Sequence, residues 1–182
     1  MSSRKLILAA VAVLVVGTSA QETPTAASAG SDAAASASQK VEVKGFTFQW
    51  AVEGENLRAS LAFKTSGWVA VGFNPTRKMK DANFIIGYAG PDGASVVDDE
   101  FGDGTVSHSA DTALGGSYDI VESSCSETDG VTTMKFVIPL ADSDAKDVKL
   151  EAGKEITVIF GAGKKDNLTS KHSTVAKTTI KL

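Results

Sequence analysis

The stretch FTFQWAVEGENLRASLAF, residues 46–63, carries the pattern on which the fold turns. Phe46, Phe48, Trp50 and Val52 alternate with Thr47, Gln49 and Glu53. After Gly54, Glu55 and Asn56 the alternation resumes, with Leu57, Ala59, Leu61 and Phe63 set against Arg58, Ser60 and Lys64. A period of two puts every second side chain on one face, so the stretch predicts a hairpin with one buried and one solvated surface.

Working outward, residues 68–73 and 84–86 are continuously apolar, as central strands covered on both faces are. Shorter strands are expected at 95–99 and 118–123. Thr132, Met134, Phe136 and Ile138 alternate with Thr133, Lys135 and Val137 up to Pro139. Ile156, Val158 and Phe160 alternate again before Gly161, and a last strand covers 178–182. About nine strands divided by Gly, Asp and Pro turns, with no amphipathic helix, predict an all-β protein, an antiparallel β-sandwich.

The amino terminus has a different character. Arg4 and Lys5 precede an apolar run from Leu6 to Val16, and Gly17, Thr18, Ser19 and Ala20 supply the small residues a signal peptidase reads. Residues 1–20 therefore read as a secretory signal peptide, too short in its apolar part for a permanent span. Residues 21–40, almost wholly Ala, Ser, Thr, Gly and Pro, read as a flexible tether, and 41–182 as the folded domain. No other segment reaches spanning length, so no integral membrane segment is expected in the mature chain. Removing the leader takes two of the 18 Lys and Arg and none of the 22 Asp and Glu, leaving 16 against 22. That acidic balance argues against nucleic acid as a partner. The single cysteine, Cys125, has no internal disulfide partner, so the domain depends on its core in an exported compartment, periplasmic or extracellular.

Three long loops, 74–83, 101–117 and 162–176, interrupt the strands, and loops of that length in a compact sandwich usually carry function. Each holds one residue able to ligate a soft or borderline metal: Met79, His108 and His172, the two histidines being the only ones in the chain. Taken singly, a loop methionine also serves as a gap filler and a loop histidine as a solvated side chain. No Gly-x-Ser-x-Gly elbow, His-Glu-x-x-His or phosphate-binding glycine loop supports a hydrolytic or nucleotide-dependent enzyme. The acidic run Asp98-Asp99-Glu100 with Asp103 lacks the alternation of a calcium loop and reads as a solvated acidic loop. One Cys and two His fall short of a structural zinc site, and without a Cys-x-x-Cys-His no haem is attached covalently. Two protein ligands suffice for non-covalent haem.

The segments GWVAVGFNPTRKMKDANFIIGY (67–88), DDEFGDGTVSHSADTALGG (98–116), GVTTMKFVIPL (130–140) and FGAGKKDNLTSKHSTVAKTTIKL (160–182) together resemble the DOMON domain in its small exported bacterial form. The resemblance implies an immunoglobulin-like β-sandwich. Its relatives include the haem b cytochrome domain of cellobiose dehydrogenase and the haem subunit of ethylbenzene dehydrogenase. In the former the iron is held by a methionine from the loop after the Gly-Trp strand and a histidine near the carboxyl end, which correspond to Met79 and His172. The resemblance thus implies haem b as cofactor and a redox partner protein or oxidoreductase in the same compartment. A thioether favours ferrous iron while imidazole serves both oxidation states, and two fixed ligands close the iron, so the chain reads as an electron carrier rather than an enzyme. Arg77, Lys78 and Lys171 stand beside the proposed ligands as partners for the propionates; Trp68, Phe73, Phe84 and Phe160 are candidates for the pocket wall or for sandwich core. His108 is an alternative ligand in place of Met79, or a loop clamp bonded to a nearby carboxylate. The competing reading is a non-redox module for a sugar or apolar small molecule, or an adhesion domain, on the same fold.

Overall fold

Eleven strands pair antiparallel into two sheets in a computed structural model of the chain that describes residues 37–141 and 144–182. The expected leader and nearly all of the expected tether lie outside the described residues. One sheet has the order β1 (Gln39–Val43), β2 (Phe46–Glu53), β3 (Asn56–Phe63), β9 (Val131–Pro139), β8 (Glu122–Thr128). The other runs β11 (Thr174–Lys181), β10 (Glu155–Ala162), β4 (Val69–Phe73), β5 (Asn83–Ala89), β6 (Ser95–Phe101), β7 (Ser109–Ala110). A short 3-10 helix, Asp111–Leu114, follows β7. The architecture is the expected sandwich, with eleven strands in place of nine.

The alternation in 46–63 does what its period requires. Phe46, Phe48, Trp50, Leu57, Ala59 and Leu61 are buried between the sheets, facing Val69, Val71, Phe73, Ile85 and Val158 of the second sheet. Phe48 and Phe160 lie 5.4 Å apart across the interior, and Phe73 meets Phe136 edge-on at 6.3 Å, geometries that aromatic rings favour. β4 and β5 are buried on both faces, as their unbroken apolar runs predict.

The two additional strands and one displaced strand have physical reasons. β1 pairs residue by residue with β2 from Gln39↔Trp50 to Val43↔Phe46, so the expected boundary at Lys40 falls inside a strand. Backbone pairing at a sheet edge asks little of the side chains, and Val41 and Val43 alone gave too short a pattern to read. β7 has only two residues. The strand expected at 118–123 is β8, Glu122–Thr128, an edge strand with Cys125 its one buried residue and therefore no apolar alternation. Burial pushes the Cys125 thiol up to about 12, leaving it a small apolar side chain rather than a nucleophile.

The acidic run at 98–100 is not a solvated loop. It lies within β6, and Asp99 and Glu100 are buried. Asp99 shares its burial with Asn83 and Asp111 at one end of the sandwich. Burial, together with neighbouring carboxylates, pushes Asp99 and Asp111 up to about 7.

Candidate functional site

The outer face of the six-stranded sheet is built to leave a trough. The pairing register sets Val175, Gly161, Ala70 and Ile86 side by side in one row across β11, β10, β4 and β5, and Lys177, Ile159, Gly72 and Phe84 in the next. Gly161, Ala70 and Gly72 occupy the middle of these rows, so the sheet centre carries almost no side-chain bulk. Gly in a strand interior costs stability and marks a place where something approaches the backbone closely. The Phe84 ring occupies part of that space: a Cβ at Gly72 would lie 2.5 Å from it. Trp68 lies over Gly161 and Gly163, where a Cβ at Gly163 would overlap the indole. Trp68, Ala70 and Ile86 form an apolar cluster separate from the main core, with Tyr88 and Leu168 against it.

Three loops stand around this floor. The first, between β4 and β5, turns sharply: Lys78 and Asp81 take positive φ of 54° and 61°, and the Thr76 amide donates to the Lys80 carbonyl at 2.9 Å. It is pinned to the second loop by Asp81 N–H donating to the Gly102 carbonyl (2.8 Å) and Gly102 N–H donating to the Ala82 carbonyl (2.8 Å). A Cβ at Gly102 would fall inside the Met79 carbonyl oxygen, so only glycine lets these two backbones touch. The third loop, between β10 and β11, is held by Trp68, whose indole N–H donates to the Ser170 hydroxyl at 2.9 Å, and by Gly163 N–H donating to the Trp68 carbonyl at 2.9 Å.

Between floor and loops is a cavity of about 590 Å3, within the range of small-molecule and cofactor sites, roughly 300–1,000 Å3. Met79, His108 and His172, one from each loop, all line it. So do Trp68, Phe84, Lys78 and Lys171 among the sequence-predicted residues. Two of that set do not. Phe73 is fully buried in the inter-sheet core, because in a strand apolar on both faces the odd residues Val69, Val71 and Phe73 face the other sheet and the even ones face the trough. Arg77 pairs its backbone with Lys80 in an isolated bridge and is exposed, away from the cavity lining. Two cations that the sequence reading missed, Lys44 and Lys177, do line the cavity. Lys44 stands in the β1–β2 turn and Lys177 on the solvated phase of β11, so neither had a local signal. With Lys78 and Lys171 they make four lysines at a mouth whose lining, among the described residues, includes no carboxylate, in a chain of net charge −4. Val106 and Val175, both exposed, complete an apolar rim.

The three candidate ligands differ in setting. Met79 is half-buried and His172 is exposed. His108 bonds through Nδ1 to the buried Glu100 carboxylate, which raises its pKa, with Phe84 at 5.7 Å between ring centroids. This is the carboxylate clamp anticipated for His108, and it leaves Nε2 as the ring's second nitrogen.

The outer sheet face of this antiparallel sandwich thus carries a glycine-floored, loop-roofed, lysine-rimmed cavity. The sequence matches the DOMON domain over residues 42–163, and the chain belongs to that family. His172 lies beyond the matched span. Among solved structures, the cytochrome domain of Myriococcum thermophilum cellobiose dehydrogenase superposes with a TM-score of 0.60 at 14% identity, covering 80% of this chain and 81% of that one. The cytochrome b domain of pyranose dehydrogenase from Coprinopsis cinerea gives 0.56 at 7% identity, covering 74% and 75%. At these identities the likeness is one of fold. No curated protein matches the chain in sequence.

Proposed function

We propose that the chain is an exported b-type haem protein that carries single electrons to or from a redox partner protein or oxidoreductase, with Met79 and His172 as iron ligands. The observation that carries this reading is the convergence of one soft or borderline ligand from each of three separate loops on one cavity. The residues fit the group: the floor of Trp68, Ala70, Phe84 and Ile86 is apolar, and the exposed lysines at the mouth match two propionates. Fold likeness to two cytochrome domains points the same way. When bound, haem supplies a one-electron couple that changes no covalent bond.

The chain's own residues do the rest. Met79 would hold the iron through a weak neutral thioether, which favours the reduced state, and His172 through the stronger imidazole, a pair suited to electron transfer rather than to turnover of a substrate. Trp68 and Ser170 fix the loop that carries His172, while Gly102 fixes the one that carries Met79. Lys78 and Lys171 would pair with the propionate carboxylates. A sugar-binding reading is less well supported, because Trp68 and Phe84 are buried against the sheet rather than presented as stacking platforms.

One observation favours a second assignment of ligands. Metal-bound histidines commonly donate their other ring N–H to a carboxylate, as His108 does to Glu100. On that assignment His108 replaces Met79. Titration of the purified full chain with haemin tests the main reading. One haem should bind per chain, with a low-spin absorption spectrum, and should be extractable into acidified organic solvent. Absence of uptake would overturn the proposal and leave the non-redox binding module.

A further inference from the structure

At the opposite side of β6 from the cavity lies a polar cluster that the haem reading does not use. Asn83 and Asp99 sit on the inner face of the sheet, pointing between the two sheets at one end of the sandwich. Asp111 opens the 3-10 helix, and Asp119, Asp144 and Asp147 come from the two loops that close that end. One carboxylate oxygen from each of Asp119, Asp144 and Asp147 lies within 4.8 Å of the others. Hydrogen bonds tie Asn83 and Asp99 to the same group: Asn83 Nδ2 donates to Asp147 at 2.9 Å, and the Asp119 amide donates to Asp99 at 3.0 Å.

Acidic groups gathered at a surface need no ion. Here the buried members have oxygens without partners. Among the described residues, Asp111 is 1% exposed and neither of its carboxylate oxygens has a hydrogen-bond partner; Asp99, 2% exposed, and Asn83, 6% exposed, each have one such oxygen. Buried polar atoms in folded proteins are almost always satisfied, and leaving several in one place is expensive. A void of about 10 Å3 adjoins Asn83 and Asp99 and is lined also by Asp119 and Asp147. That is near the size of a single small occupant, roughly 10–15 Å3.

We infer that this cluster is a binding site for one hard divalent cation of the calcium type, held among Asn83, Asp99, Asp119, Asp144 and Asp147, with the buried Asp111 carboxylate beside them adding negative charge. The donors are all oxygen: Asn83, Asp99, Asp119 and Asp147 line the void, and Asp144 has an oxygen within 4.8 Å of those of Asp119 and Asp147. That supply suits the six to eight oxygens calcium takes better than magnesium, which keeps much of its water. A neutral water donates only two hydrogen bonds, so it would satisfy at most two of the four orphan oxygens and leave the carboxylates repelling one another. The site would join three parts of the chain that strand pairing alone leaves apart: β5 and β6, residues 111–119, and residues 144–147. Residues 102–110, which carry His108 to the cavity, run directly into it.

The test is calorimetric and thermal titration of the chelator-stripped full chain with calcium chloride, with magnesium and sodium chloride as controls. One calcium per chain is expected, with a rise in melting temperature of roughly 5–10 °C at calcium 100-fold above its Kd. Asp111→Asn should melt higher than the stripped native chain, since a repelling buried charge is gone, and should lose at least tenfold in calcium affinity. Asp144→Asn, at a more exposed ligand, should lose affinity as well and guards against a folding defect in the first variant. No binding by the folded native chain at millimolar calcium would overturn the inference and assign the orphan oxygens to water or a shared proton. So would an equal response to sodium, or an unchanged affinity in both variants.

Discussion

Met79 decides between two ligand sets, because it is the only thioether among the three candidates that line the cavity. Met79→Ala should leave the sandwich folded, since the residue is half-buried in a loop outside both apolar clusters. In the haem-loaded chain it should lower the reduction potential and make the haem partly high-spin, read by redox titration and absorption. His172→Ala should abolish most haem affinity. His108→Ala should keep the low-spin spectrum; if it loses that spectrum while Met79→Ala keeps it, the ligands are the two histidines. His108 also carries a pH dependence. Its pKa is raised by the bond to Glu100, so the pair's contribution is fully present below the ordinary histidine value of about 6.5 and is lost as pH rises through the folded-state value. Denaturant titrations from pH 6 to 9 should therefore show the native chain losing about 1 kcal/mol more than His108→Gln, which keeps a donor that does not titrate. Equal losses would mean the pair is not formed in solution.

Single residues also mark where sequence reading stopped. The candidates Met79, His108 and His172 were legible because each is chemically out of place in its loop. Phe73 was not separable from Trp68 and Phe84, because a strand apolar on both faces carries no polar phase marker to say which face meets the cavity. The informative residues are Gly72 and Gly161, mid-strand glycines whose meaning depends on lying in adjacent rows of two paired strands. Asp99 and Glu100 were misread for a related reason: their partners, His108, Asp119 and Asp147, are distant in the chain, and nothing local distinguishes a buried carboxylate from a solvated one.

Among the elements, the loops that roof the cavity are fixed by backbone contacts rather than by their own side chains, and Gly102 is the tightest of these. Gly102→Ala would force the new methyl group into the Met79 carbonyl, which can be relieved only by separating the two loops. A cost of about 1–3 kcal/mol is expected from such overpacking. Because the displaced segment is the one carrying Met79, haem affinity should fall by more than the loss of stability alone would produce. Comparison of melting temperature and haem dissociation for this variant checks both parts. An unchanged Kd with a lowered melting temperature would show that the loop does not position a ligand.

At the scale of the whole molecule, the two sheets divide their labour. The five-stranded sheet supplies core and, through Lys44 in its β1–β2 turn, one cation at the cavity, and its alternation in 46–63 is enough to read the sandwich from sequence. The six-stranded sheet packs one face against that core and offers the other to a ligand, which is why its central strands are apolar on both sides. Among the described residues no helix is long and apolar enough to cross a membrane. The account's central claim is that two protein side chains close the iron, making the protein a carrier of electrons. Electron paramagnetic resonance of the ferric, haem-loaded full chain tests this most directly. A low-spin signal accounting for the bound haem is predicted, and a predominantly high-spin signal, with an open coordination position, would contradict it.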